Sequence, residues 1–221
     1  METVKKDDFV EIEYTGRIKE DNSIFDTTIE KVAKENNLHD KNADYSPLVI
    51  CAGHGNVVKG LDDQIAGKET GKEYIFEINS ENAFGKKDAK LIQLIPANKF
   101  RQQKINPFPG LQLNIDGVFG VVKTASGGRC LVDFNHPLAG KELIYDVKIN
   151  RIVHDEKEKL ISLLKAHLNI KNAEIELSEG SANIRLSQSI QPNIQEEFKG
   201  IAKKSITSIK NLNFTIVEEK K

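Results

Sequence analysis

The sequence predicts an α+β fold, on three observations. Several short runs alternate apolar and polar residues: Val10, Ile12 and Tyr14 against Glu11 and Glu13; Tyr74, Phe76 and Ile78; Leu143, Tyr145, Val147 and Ile149. A period of two is the mark of a strand with one face in the core. The middle of the chain keeps that period but is broken up by prolines. The last third switches to helical spacing, with Leu160, Leu163, Leu164 and Leu168, before alternation returns.

Each element has a local reason. The first strand runs to Tyr14, Glu20-Asp21-Asn22-Ser23 is a turn, and Ile24-Phe25-Asp26 resumes the sheet. Residues 28–37 are helix-compatible, and Asn36, Asn37, Asp40, Asn42 and Asp44 mark a loop. Leu48-Val49-Ile50-Cys51 is a short apolar strand stopped by Gly53 and Gly55, and residues 62–66 form a short helix ended by Gly67. Further on, Leu91 to Pro96, the Leu111-Leu113-Ile115 alternation, Val118 to Val122 and Cys130 to Phe134 read as strands, with Gly127-Gly128 as a turn. In the last third, residues 155–167 are a helix. Ile175, Leu177, Ile184 and Leu186 form a hairpin about Ser178-Glu179-Gly180-Ser181. Asn193-Ile194-Gln195-Glu196 reads as a capping box opening a helix after Pro192, with a stripe of Ile194, Phe198, Ile201, Ala202 and Ile209. Leu212, Phe214 and Ile216 close with a strand. The order α-β-β-α-β is an α+β module.

Composition excludes several classes. Across 221 residues, 32 Lys+Arg balance 33 Asp+Glu, which disfavours a surface built for nucleic acid or anionic lipid. No stretch approaches a membrane span, and Met1 to Asp8 lacks the apolar block of a signal peptide. A cytoplasmic protein is expected, with no membrane and no nucleic acid among its partners. The two cysteines, Cys51 and Cys130, form no C-x-x-C and read as buried free thiols. The five histidines are scattered, so no metal is expected. One local excess stands out: residues 86–130 hold eight basic side chains and only Asp88 and Asp116 as acids.

Motifs for covalent chemistry are missing. Gly55-x-x-x-x-Gly60 is followed by Leu61-Asp62 where a phosphate loop needs Lys-Ser/Thr. Asp62 and Asp63 are neighbours on a helix, do not share a face, and suit its N-terminus instead. What remains is a series of aromatic and apolar residues around one acid: Tyr14, Phe25-Asp26, Val57-Val58, Leu61, Phe84 and Tyr145.

Their order resembles the FK506-binding-protein (FKBP) family of peptidyl-prolyl cis-trans isomerases (rotamases). The stretches that carry it are Val10-Glu-Ile-Glu-Tyr14-Thr-Gly16-Arg, Phe25-Asp26-Thr-Thr, Val57-Val-Lys-Gly60-Leu-Asp-Asp, Gly67-Lys-Glu-Thr-Gly71, Ala83-Phe84-Gly85 and Leu143-Ile-Tyr145-Asp-Val147. The segment Asn135-His136-Pro137-Leu138-Ala139-Gly140 resembles the SlyD-type branch, where an insert-in-flap domain ends before the return to the sheet. The extra C-terminal third is similar to the long archaeal form.

The resemblance implies an FKBP-like antiparallel half-barrel sheet with a short helix over residues 1–85 and 134–154. It also implies a β-rich insert over 86–133, and leaves a C-terminal α+β domain over 155–221. By position, Tyr14, Phe25, Asp26, Phe84 and Tyr145 would be catalytic and Leu48, Val57, Val58 and Leu61 would bind substrate. Leu61 stands where many relatives place tryptophan, and Phe84 replaces a tyrosine. No cofactor is implied. A small insert cannot bury all its apolar residues, so Leu94, Ile95, Phe100, Phe108 and Phe119 are expected to hold clients, giving chaperone activity. The expected partners are unfolded or partly folded polypeptides with Xaa-Pro bonds, and a second copy of the chain through residues 155–221 in a homodimer. The alternative reading is a non-catalytic holdase on the same scaffold.

Overall fold

In chain order the elements are β1 (Phe9–Ile18), β2 (Ile24–Thr27), α1 (Glu30–Glu35), β3 (Leu48–Cys51), α2 (Lys59–Ile65), β4 (Lys72–Ile78), β5 (Ile92–Pro96), α3 (Ala97–Gln102), β6 (Gln112–Ile115), β7 (Val118–Ser126), β8 (Arg129–Asp133), β9 (Leu143–Val153), α4 (Glu156–Leu168), β10 (Glu174–Ser178), β11 (Ser181–Leu186), α5 (Pro192–Ser205) and β12 (Asn211–Ile216). The computed structural model describes residues 1–115 and 117–216; Asp116, and residues 217–221 at the end of the expected C-terminal module, lie outside the described residues. The chain divides into two units, one of residues 1–78 with 144 onward, the other of residues 79–143.

In the first unit a five-stranded sheet has the order β2-β1-β9-β4, with β3 also paired to β1. Strand β1 is long because it serves two partners. Its first half pairs antiparallel with β3, Phe9 opposite Cys51 and Ile12 opposite Leu48. Its second half pairs with β2, Gly16 opposite Asp26, with an irregularity between Gly16 and Arg17. Alternation sends Val10 and Ile12, both fully buried, to one face. The other face is not wholly polar, because Phe9 is also buried. It shares a core with Cys51, Val153 and the α4 leucines Leu160, Leu163 and Leu164. The C-terminal elements therefore cover one end of this sheet, and Arg151 ties Glu11 to Glu158 beside them.

Those elements follow the α-β-β-α-β order. Asp155 caps α4, its carboxylate accepting from the Glu158 N–H at 2.7 Å. The hairpin β10–β11 places Ile175 opposite Ile184. β12 returns parallel to β11, Ile184 opposite Phe214, and α5 provides the crossover that a parallel pair needs. The capping-box reading at Asn193 is corrected: Pro192 is already helical, and Gln191 caps without a side-chain bond. Proline's fixed φ suits the first helical turn, so the helix starts earlier. Phe198 and Ala202 form its buried stripe, while Ile209 is buried beyond the helix end.

The second unit holds an antiparallel sheet of order β5-β8-β7-β6. Gly127 and Gly128, at φ 57° and 72°, join Ser126 to Arg129 in a two-residue turn open only to residues tolerant of positive φ. Gly120 is needed for another reason: a Cβ there would lie 2.8 Å from the Phe134 ring. The core is small, with Phe100, Val122, Cys130 and Val132 buried. Helix α3 has no sequence signal, being six residues long with no side-chain cap. The chain enters and leaves the sheet through one polar clamp. Buried Asp133 pairs with Lys87 at 2.7 Å and accepts from both the backbone and side-chain amides of Asn135. The Asn135 Oδ1 in turn accepts from the Asp88 N–H. Burial would raise the Asp133 pKa, but Lys87 and Asn135 override it and hold it at about 2.

Candidate active site

Strands β1 and β2 present one acid among aromatic rings. The Tyr14 hydroxyl donates to Asp26 Oδ2 at 2.6 Å. The Tyr145 ring, 4% exposed on β9, lies 5.7 Å from the Tyr14 ring and 5.7 Å from Phe25, edge-on to the latter. Such tilted contacts fix ring orientation as well as excluding water. The β1–β2 pairing is reinforced by Thr28, whose hydroxyl accepts from the Tyr14 N–H at 2.9 Å. Gly16 is the small residue that lets the rings in: a Cβ there would sit 2.6 Å from Phe25 Cζ and 3.1 Å from Tyr145 Cε1.

Electrostatics keep the phenols neutral. Burial first, then the hydrogen bond and charge of Asp26, push Tyr14 far above the ordinary tyrosine value. Burial and the Asp26 charge do the same to Tyr145. The Tyr145 hydroxyl has no hydrogen-bond partner among the described residues. Both groups are thus O–H donors over the whole working range, and neither can act as an anionic base.

These residues border a cavity of about 310 Å³ lined by Tyr14, Phe25, Asp26 and Leu48 and, on its opposite wall, by the loop between α1 and β3. That loop contributes Leu38, Asp40, Ala43, Asp44, Tyr45 and Ser46. The Tyr45 hydroxyl accepts from the Asp40 N–H at 2.8 Å and donates to the Leu38 carbonyl. A cup of this size, with Tyr14, Phe25, Leu38, Tyr45 and Leu48 among its lining, can take a single five-membered ring and its flanking amide.

Other expected residues lie elsewhere. Leu61 is fully buried in α2, and Val57 and Val58 are half-buried just before it; none of the three borders the cavity. Phe84 belongs to the second unit, stacked on His136 with ring centroids 4.4 Å apart. In that unit Leu94, Phe108 and Phe119 are exposed, together with Val118. Phe100 is buried in the core, although it borders, with Leu94 and Ile95, a groove of about 490 Å³. Residues 38–46 carry no motif, so the opposite cavity wall is invisible in sequence; only Gly16, within the first quoted stretch, had a signal. Asp62 also acts differently from its reading at a helix N-terminus. It is buried and accepts from the Gly53 and Gly55 N–H groups, each at 2.8 Å. The glycine loop is thus closed around an internal carboxylate. Cys51 and Cys130 are free and buried, and burial pushes the Cys51 thiol up to about 12.

The chain is similar to known proteins of one kind. A family model described as the IF domain of FKBP26 matches residues 93–138. The chain is 32% identical over 155 residues to the short-type peptidyl-prolyl cis-trans isomerase of Methanocaldococcus jannaschii, covering 70% of this chain and 98% of that protein. It is 30% identical over 107 residues to the FKBP-type isomerase SlyD of Pasteurella multocida, 47% of this chain and 53% of that one. It is 28% identical over 110 residues to the FKBP-type 16 kDa isomerase of Escherichia coli K12, covering 48% and 74%. With the β1–β2 aromatic site and near-complete coverage of the Methanocaldococcus relative, the chain belongs to the FKBP-type peptidyl-prolyl cis-trans isomerase family.

Proposed function

We propose that this chain accelerates Xaa-Pro rotation in unfolded or partly folded polypeptides at the cavity bordered by Tyr14, Phe25, Asp26 and Leu48, with Tyr145 behind it. The observation that carries this is the Tyr14–Asp26 hydrogen bond set among three aromatic rings. The rotation barrier, roughly 18–20 kcal/mol, is lost amide resonance. No covalent step is needed, only tighter binding of the twisted amide than of either planar form. An apolar cup strips water from the imide carbonyl and so weakens the charge-separated planar form. Asp26 orients the Tyr14 hydroxyl and adds a fixed charge at the edge. Exchange NMR on an Ala-Leu-Pro-Phe peptide tests the reading. Faster cis/trans exchange, lost in Asp26→Ala, is expected. Line broadening without faster exchange would leave a holdase on an FKBP scaffold.

The finer assignment is a SlyD-like, long archaeal-type isomerase, acting in the cytoplasm, whose insert (residues 86–133) supplies chaperone activity. It is supported by the match to residues 93–138 and by exposed Leu94, Phe108, Val118 and Phe119 on a unit whose sheet packs on a small cluster of Phe100, Val122, Cys130 and Val132. A homodimer through residues 155–221 is part of the same proposal. Its support is the sheet order β10-β11-β12, which leaves β10 and β12 as edges carrying exposed Leu177 and Ile216. Light scattering giving a monomer would remove the dimer.

A further inference from the structure

The C-terminal third reaches the cavity. Lys165, on α4, borders it, and its ammonium meets Asp44 Oδ2 at 2.6 Å. Three residues past the end of that helix, Lys171 donates to the Asn42 carbonyl at 3.0 Å. Both partners lie in the loop of residues 36–47, which has no regular secondary structure and forms the cavity wall opposite Phe25 and Asp26. The loop's other ties are local: Tyr45 to residues 38 and 40, stacking of Tyr45 on His39, and His39 to Glu30. Among the described residues, Lys171 ties it from the segment that follows α4, and Lys165 ties it from α4 itself. That element is fixed in turn, because α4 shares its leucine core with Cys51 of β3, the strand the loop leads into.

We propose that Lys165 is a positioning residue for the isomerase site: it pins the 38–46 wall against α4, so that the cup is formed before substrate arrives. The inference rests on the reading of this cavity as the prolyl site. A twelve-residue irregular loop samples many conformations when untethered, and each must be given up on binding. The Lys165–Asp44 pair removes that cost beforehand. Lysine suits the task, because its long apolar stem lies along the cavity edge while the ammonium reaches Asp44. The pair also lowers the Asp44 pKa, together with Ser46, so the tether stays charged at neutral pH.

The test uses the full chain, a tetrapeptide with a central Leu-Pro bond, and amide hydrogen exchange. Lys165→Met keeps the stem and removes the charge. It is expected to raise KM, and the peptide Kd from NMR titration, about two- to five-fold, the range of a partly exposed ion pair. The value of kcat should change by less than about twofold. Asp44→Asn should give the same rise, the double variant should add nothing further, and Lys165→Arg should restore binding. Amides of residues 38–46 should exchange faster in Lys165→Met, with protection of β1 and β9 unchanged. Unchanged loop exchange, or a looser loop with wild-type Kd, overturns the proposal. If the wild-type chain fails to speed peptide exchange, the isomerase reading falls by itself, and peptide Kd with loop exchange still decides the role of Lys165.

Discussion

Replacing Gly16 by alanine tests the aromatic wall directly. The backbone at Gly16 is not in the left-handed region, so the substitution adds one methyl group and no backbone strain. That methyl would stand 2.6 Å from Phe25 Cζ and 3.1 Å from both Phe25 Cε2 and Tyr145 Cε1. Carbon atoms in contact prefer about 3.5–4.0 Å, so the Phe25 ring must retreat by about 1 Å. Overpacking of this kind costs about 1–3 kcal/mol. Phe25 is half-buried on a four-residue strand and can yield, whereas Tyr145 is buried, so about 1–2 kcal/mol is expected. For a chain of this length that lowers Tm by about 2–8 °C. The effect on catalysis should be larger than on stability, because a displacement of about 1 Å at a reacting site can cost up to 100-fold. We expect kcat/KM for a Leu-Pro peptide to fall at least about tenfold, measured by exchange NMR beside urea unfolding. Gly16→Ala combined with Phe25→Leu should recover part of the stability, since the closest clash is relieved while the 3.1 Å approach to Tyr145 remains, but not activity, since the Phe25 ring is gone. A Gly16→Ala variant with wild-type rate and Tm would refute the reasoning.

Four further outcomes follow from particular contacts. Tyr145→Phe should cost no stability in thermal melts, because the hydroxyl has no partner to lose among the described residues, yet it should slow peptide isomerisation by removing a donor beside the cavity. The rate should stay flat from about pH 6 to about pH 9.5, because burial and Asp26 hold both phenols protonated beyond the range where an exposed tyrosine ionises. Asp133→Asn should destabilise the second unit by about 1 kcal/mol at pH 7 after allowance for solvent screening. Because the folded pKa is depressed to about 2 from 3.8, that difference is fully present above about pH 4 and should vanish as pH falls through 2 in urea titrations. Asp62→Ala should cost about 1–3 kcal/mol by stranding the Gly53 and Gly55 N–H groups, while Asp63→Ala, exposed and paired with the exposed Lys59, should be near neutral; equal effects would contradict the loop geometry.

Much of the fold was legible because its strands are amphipathic. β1, β4 and β9 show their period in the residue order, and the Gly127-Gly128 turn is dictated by the positive φ it requires. Tyr14, Phe25 and Asp26 were legible because they sit on consecutive strands joined by a turn, so chain proximity brings them together. Tyr145 is 131 positions from Tyr14, and only the family pattern linked them in sequence; β9 pairing within the sheet does so in space. Helix α3 was missed because six residues without a cap carry no periodic signal.

What the sequence determined by itself, then, is what depends on neighbours in the chain: strand period, turn chemistry, helix stripes and the acid beside its aromatic ring. The tertiary structure alone decided which apolar residues are core and which are surface. Phe100 and Phe119 look alike in sequence, yet one is buried and the other exposed. It also decided that Phe9, on the nominally polar face of β1, is covered by α4, and that Lys165 stands at the rim of a cavity built from residues more than a hundred positions away. The physical reason is common to all three. Burial and ion pairing are properties of what lies opposite a side chain, and across a sheet or beneath a helix that neighbour is set by packing rather than by order along the chain.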